Sequence, residues 1–372
     1  MFVDVRAPSV KISGGKTLND LSTPPPALER RTAADSKRRR AGRPRALRWG
    51  LGVLAVLLLL HLALMLYWGR QPPAFDVVAR AQAEVGAVGG GETLPGVVTT
   101  AAMIGVGDTL LNKPGGFLHN DRLPPGVIMD NFPSWECGVV MALRDAVQAL
   151  RDDFTRAQTQ SVENLDVKRA DMKLAMDPKA WVLPAAEDAY AEGIAALRAY
   201  LGDLAKGQAR FYPRADNLAD YLGLVEKRLG NFGVRLGAAA GVTLDVDPIT
   251  GQIAEDSLPA SGMPLDPAAG TVYDAARVDD VFFCARGYSW AFLHVLRGIE
   301  RDFASVVADK TAGVQMRRIA HDLEGAIKPM RSPVVLNGGG FGLLANHSMV
   351  AASYVARVNA AVIDLRLLLE QG

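Results

Sequence analysis

Cysteine is nearly absent: Cys137 and Cys284 are the only two in 372 residues. Neither a disulfide-dense scaffold nor a paired-cysteine zinc knuckle can be built from them. Histidine is sparse as well. His61, His119, His294, His321 and His347 include no pair four apart flanking a glutamate, so no metal site and no cofactor are expected. The 37 glycines and 21 prolines have no three-residue period, which excludes a collagen-like chain, and a 49% hydrophobic composition excludes wholesale disorder. Long apolar runs are lacking but for one, and a many-pass transporter is excluded with them.

That one run is residues 49–68, twenty residues without Asp, Glu, Lys or Arg. As a helix it is about 30 Å long, the thickness of a bilayer's hydrocarbon core. Trp49 at one end and Tyr67 with Trp68 at the other suit the two headgroup levels, and His61 is the single polar interruption. Residues 1–48 hold 12 Lys or Arg against 4 Asp or Glu, a net +8, so the remainder of a +1 chain carries −7. Basic flanks resist translocation, so the N-terminus is expected to stay in the cytoplasm while the bulk of the chain is exported. A cleaved signal peptide fits less well, because the run is long and the nearest small-x-small site, Ala81-Gln82-Ala83, lies well past its end. A retained anchor is the expectation.

Three regions follow: a disordered basic cytoplasmic tail over 1–48, a transmembrane helix over 49–68, and an exported helical domain over 69–372. In the tail, Lys37-Arg38-Arg39-Arg40 sits beside the span, where anionic lipid is its natural contact; no nucleic-acid partner is expected. Gly15-Lys16-Thr17 ends like a phosphate loop, but Val10 stands where the motif needs glycine.

Beyond the anchor, five segments repeat apolar residues at spacings of three and four. They begin at Val140, Tyr190, Leu218, Phe292 and Ala351. Residues 314–327 read as helix too, 97–111 more weakly, and a helical pattern resumes near Phe75. Such spacing gathers side chains into one stripe, which an isolated helix cannot bury. The fold class is therefore mainly α, an antiparallel helical bundle after the single span. Residues 237–272, rich in Gly, Ala, Pro and Asp, mark a linker or a boundary between two lobes, with room for a small hairpin at 242–253. Pro184 is expected in the first turn of the second segment, and Lys206-Gly207 and Gly237 are expected stops.

Chemistry is harder to find. Glu136 beside Trp135 is the most interesting acid, because an apolar neighbour raises a carboxyl pKa. Two glycine-containing loops stand out. The first, 113–122, carries His119 and Asp121. The second, 337–348, carries Asn337, Gly338, Asn346 and His347. Glu136, His119, Asp121 and His347 are the catalytic candidates, and Asn337, Gly338 and Asn346 the ligand-binding ones; the bland alternative for the second loop is a tight connection capped by Asn346 or Ser348. Cys137 and Cys284 fit either free buried thiols or a bridge between two helices.

Several longer strings carry a resemblance: Pro95-Gly96-Val97-Val98-Thr99-Thr100, Leu111-Asn112-Lys113-Pro114-Gly115-Gly116, Arg214-Ala215-Asp216-Asn217-Leu218, Ser289-Trp290-Ala291 and the stretch from Asn337 through Ser348. From the anchor to the C-terminus the chain resembles the domain of unknown function 2333 family, single-span envelope proteins of Gram-negative bacteria. The resemblance implies a bacterial inner-membrane anchor and a periplasmic domain, and it brings no catalytic residue. Two functions stay open. One is non-enzymatic docking of an envelope protein or scaffolding, which an exposed apolar patch near Trp135, Trp181 or Trp290 would support. The other is an enzyme or ligand binder for an envelope component, which needs both glycine loops on one pocket.

Overall fold

Stripes spaced by three and four can be buried only against one another, and the described structure is built from such contacts. The computed structural model describes residues 26–87, 94–156, 162–240, 278–330, 332, 334–339 and 343–371. Among them the chain is mainly α: α1 (Pro26–Trp68), α2 (Val77–Ala87), α3 (Val97–Asn112), α4 (Asn131–Ala149), α5 (Leu165–Leu174), α6 (Ala186–Ala205), α7 (Ala215–Ala239), α8 (Val278–Asp302), α9 (Ala304–Asp309), α10 (Gly313–Ala326) and α11 (His347–Glu370). The described residues contain no strand, only the isolated bridges Trp181–Ala185 and Asn337–Asn346. The proposed hairpin at 242–253 and nearly all of the linker lie outside the described residues.

The chain divides into two compact units, Met1–Ala63 and Leu64–Gly372. In the first, α1 is already helical from Pro26, where the sequence reading expects a disordered tail. Ala, Leu, Glu, Arg and Lys dominate 27–48, all good helix formers, and Pro is well tolerated at a first helical position. Residues 1–25 lie outside the description. Leu47–Trp68 is long and apolar enough to cross a membrane, and none of its most apolar window is buried. A second helix, α11, passes the same test of length and composition where the sequence analysis expects only one. It differs in burying 44% of its window, with Val355, Val358, Val362 and Leu365 in the core.

The second unit is organised around α4 and α8. Ser134 Oγ donates to Asp280 Oδ1 at 2.7 Å, Trp135 meets Trp290 with ring centroids 5.3 Å apart, and Phe154 meets Phe303 at 5.2 Å. Numbers rise together along both helices, so this central pair runs parallel, contrary to the antiparallel expectation. Among the described residues three helices, α5, α6 and α7, intervene between them in sequence. Two glycines allow the close approach: a Cβ on Gly287 would stand 2.8 Å from the Trp135 carbonyl carbon, and one on Gly138 would stand 2.5 Å from the Tyr288 nitrogen. α7 and α11 run antiparallel to each other. Arg366 of α11 bonds Glu226 of α7 at 2.9 Å while Asn346, before α11, reaches Ala240, just past α7, at 3.2 Å. Gly193 of α6 lies against Ala170 and Leu174 of α5.

Boundaries follow local chemistry. Asn164 accepts from the Asp166 and Val167 amides to start α5, a helix the periodicity misses because only Val167, Ala170 and Leu174 are buried. Phe303, with φ −100° and ψ 22°, separates α9 from α8. Glu187 and Asp188 occupy the first turn of α6 as expected, but the helix begins at Ala186, so Pro184 precedes its first turn. Gly207, at φ 71°, follows the end of α6 as expected. Gly237 does not stop α7, which continues to Ala239 and caps on Ala240; a single glycine costs a helix only about 1 kcal/mol.

Candidate functional site

The first glycine loop leaves α3 at Lys113 and is held from below by an ion pair. Glu136, in the second turn of α4, is fully buried. The Lys113 ammonium pairs with it, and both side chains are at most 1% exposed. Lys113 also donates to the Gly116 carbonyl and lies 5.4 Å over the Phe132 ring. The Leu118 amide donates to Glu136 Oε1 and Oε2 at 2.9 and 3.0 Å. Burial pushes the Glu136 carboxyl up to about 7, against the opposing pull of the Lys113 ammonium and the Leu118 amide. The elevation expected from the sequence is present, on a group with no exposed surface and both oxygens engaged. This carboxylate pins a loop.

The rest of the loop is spent in the same way. His119 Nδ1 is 2.8 Å from the Pro133 carbonyl, and burial lowers its pKa. Asp121 lies against Gly126, its pKa raised by burial and by the Glu187 carboxylate. Asn120, unremarked in the sequence, ties the loop to α6 by donating to the Ala180 carbonyl at 2.7 Å and to Glu187 Oε2 at 2.5 Å.

The second loop closes α7 and opens α11. Asn337 Nδ2 donates to the Ala239 carbonyl at 3.2 Å, and its Oδ1 accepts the Ser348 amide at 3.2 Å. Asn346 Oδ1 accepts the Met349 amide at 2.8 Å, the N-cap of α11, while Nδ2 donates to Gly338 and Ala240 carbonyls at 2.9 and 3.2 Å. The Leu336 amide donates to His347 Nδ1 at 2.8 Å. Gly338 donates to the Ala345 carbonyl at 3.0 Å. Residues 340–342 of this loop lie outside the description.

No contact described links the two loops directly: His119 reaches the start of α4, and His347 lies near Phe282 at the start of α8, ring centroids 6.2 Å apart. Two cavities are described, of about 520 and 420 Å³. Ala304, Val307 and Arg317 are among the residues lining one, and Phe75, Asp76 and Arg297 among those lining the other; neither glycine loop lines either. Among the described residues no group of three His, Cys, Asp or Glu could hold a metal ion.

Sequence reasoning misses the most heavily bonded site. Arg286 is 7% exposed and faces no described carboxylate. Its guanidinium donates to the Ala326, Ile327 and Lys328 carbonyls at 2.9, 3.0 and 2.7 Å and to Gln71 Oε1 at 2.7 Å. The end of α10 thus supplies the negative partial charge. Burial pulls the Arg286 pKa down to about 10, which leaves it charged at neutral pH. Gln71 Nε2 donates to the Ile327 carbonyl at 3.0 Å. Four residues on, the Phe75 amide donates to His294 Nε2 at 3.0 Å, and the two rings stack at 4.0 Å. With Nε2 accepting, His294 Nδ1–H donates to the Trp290 carbonyl at 2.7 Å, and burial lowers its pKa to about 4. The readable signal was an arginine and a histidine on the apolar helix 278–302. The two cysteines are free and lie near enough across α4 and α8 for each thiol to shift the other's pKa.

The model of a family of uncharacterised proteins conserved in bacteria, DUF2333, matches residues 43–372, and the chain belongs to that family. No curated protein and no solved structure matches the chain.

Proposed function

We propose that this DUF2333 protein is a single-span bacterial inner-membrane protein whose helical domain stands in the periplasm and serves as a docking or scaffold element for an envelope protein, not as an enzyme. The observation that carries this reading is the fastening of residues 69–75. Between Trp68 and α2 the chain has no slack: Gln71 is bonded to Arg286 and Ile327, and Phe75 to His294. An enzyme searching for substrate gains reach from a flexible linker, whereas a scaffold gains from a fixed attachment. The tail at +8 and the remainder at −7 support the orientation. The polar groups of Glu136, Asn337 and Asn346 are spent on the fold, which leaves little for catalysis.

Of the tryptophans that would mark a docking patch, Trp135 and Trp290 are 1% and 0% exposed and belong to the core; Trp181 is 57% exposed. The test joins topology to chemistry. A periplasm-active reporter fused after Gly372 is expected to be active, and in-cell crosslinking is expected to yield a defined complex that survives the His119→Gln/Asp121→Asn double variant. A silent reporter, or a folded double variant that loses the complex together with an envelope phenotype, would overturn the reading.

A further inference from the structure

The second unit exposes apolar side chains in several places, among them Val162, Leu165, Val314, Leu343 and Leu344, and six of them lie together. Leu123 is 77% exposed, Val127 53%, Ile128 61%, Trp181 57%, Val182 53% and Leu183 93%, and all six sit on two adjoining loops. The first loop starts where the chain leaves the apolar helix. Gly115, at φ 89°, packs so closely on the Trp68 indole that a Cβ would stand 2.8 Å from the ring, and Trp68 is the last residue of Leu47–Trp68. The second loop is hung on the first by the Asn120 bond to Ala180 and by Arg122, whose guanidinium lies 5.5 Å over the Trp181 ring.

The second loop is also built to present its tip. The Trp181–Ala185 bridge closes it, the Ala186 amide donates to the Ala180 carbonyl at 2.9 Å, and Leu183 adopts φ 53°, a left-handed conformation that β-carbon sterics disfavour. A leucine held in that conformation with 93% of its surface exposed is presented to whatever apolar phase lies beside the loop. Charge narrows the choice. The tips themselves, 122–129 and 178–186, hold Arg122 and Lys179 and no acid, while Asp121, Asp130, Asp177 and Glu187 stand at their bases. Apolar tips with a Trp and a basic side chain, on a loop whose first turn packs on the last residue of an apolar helix, have the composition of an interfacial lipid contact.

We propose that loops 122–128 and 181–183 form a second membrane contact, seated at the headgroup and acyl boundary of the leaflet that Trp68 reaches, so that the domain rests on the lipid surface. The proposal rests on reading Leu47–Trp68 as a span. The full-length chain is reconstituted in phosphatidylethanolamine and phosphatidylglycerol vesicles doped with a phospholipid carrying an acyl-chain diazirine, and photoadducts are mapped by peptide mass spectrometry. Adducts are expected on the span and on both loops. Because placing an acid in lipid is strongly unfavourable, Leu123→Asp/Leu183→Asp is expected to cut loop adducts by about tenfold or more and leave span adducts unchanged. Labelled span with unlabelled loops would overturn the second contact and leave the anchor standing. An unlabelled span would overturn the anchor itself. A photo-crosslinking residue at position 183 that captures a protein in native membranes, in place of lipid, would reassign the surface to a protein partner and overturn the proposal.

Discussion

The crossing of α4 and α8 makes a quantitative claim about two glycines. In Gly287→Ala the new Cβ would stand 2.8 Å from the Trp135 carbonyl carbon, against about 3.5–4.0 Å for an ordinary carbon contact. The Trp135 carbonyl oxygen is closer still; since the obstacle is backbone, no rotamer relieves it, and α8 must retreat by at least about 1 Å. A gap of that size forfeits about a quarter to a half of the dispersion energy of atoms facing across it. Trp135 and Tyr288 are both at 1% exposure beside the crossing. If each loses about a quarter of a dispersion energy of about 7 kcal/mol, the loss is about 3–4 kcal/mol, and better helix propensity returns about 1 kcal/mol. The net cost is about 3 kcal/mol, or about 6 °C in Tm for a domain of this size. Gly233→Ala is the internal control: it lies in α7 with nothing within 4 Å of the added carbon, so the same exchange should raise stability by about 1 kcal/mol. Thermal melts of the detergent-solubilised chain, followed by tryptophan fluorescence, read both. A Gly287→Ala protein melting at or above the parent, or the two variants moving in the same direction, would refute the close crossing.

Two further outcomes follow from titrating groups. His294 is held neutral by its two bonds, and burial places its folded pKa near 4 against an ordinary 6.5; its contribution is therefore complete above pH 6.5 and drains away as pH falls toward 4, in total about 3 kcal/mol. The difference between parent and His294→Gln unfolding free energies should change by that amount across the window, and parallel curves would refute the assignment. Cys137 has its pKa lowered to about 7, chiefly by the neighbouring Cys284 thiol, whose own pKa the Cys137 side chain and burial push well up. Iodoacetamide at neutral pH should therefore modify Cys137 well before Cys284; mapping Cys284 as the first site would contradict the geometry.

How much of this was legible depends on the range of the interaction. Apolar spacing alone located α4, α6, α7, α8, α10 and α11, because the stripe on a helix is a property of neighbours three and four apart. The cap of α11 was legible for the same reason, since Asn346 and the Met349 amide it binds are three residues apart. The parallel pairing of α4 and α8 joins residues nearly 150 positions apart, and no local pattern encodes it, although glycines 138 and 287 within apolar helical runs were its trace. Glu136 was singled out for the correct physical reason, a burial-raised carboxyl. Its role was hidden because Lys113 and Leu118, which make it a fastening, lie in a different element.

The same distinction explains why Arg286 matters more than the residues first singled out. A buried guanidinium facing no described carboxylate is costly unless fixed dipoles answer it, and here three carbonyls at the end of α10 do so while Gln71 occupies the remaining side. Gln71 bonds one of the same carbonyls. Pulling residues 69–75 away would therefore leave a buried charge short of an acceptor, and it would also strip the Phe75 amide from His294. Arg286 and His294 both sit on α8, the helix that also crosses α4 and buries Trp290 against Trp135. Residues 71 and 75 are thus bonded to a helix at the centre of the second unit.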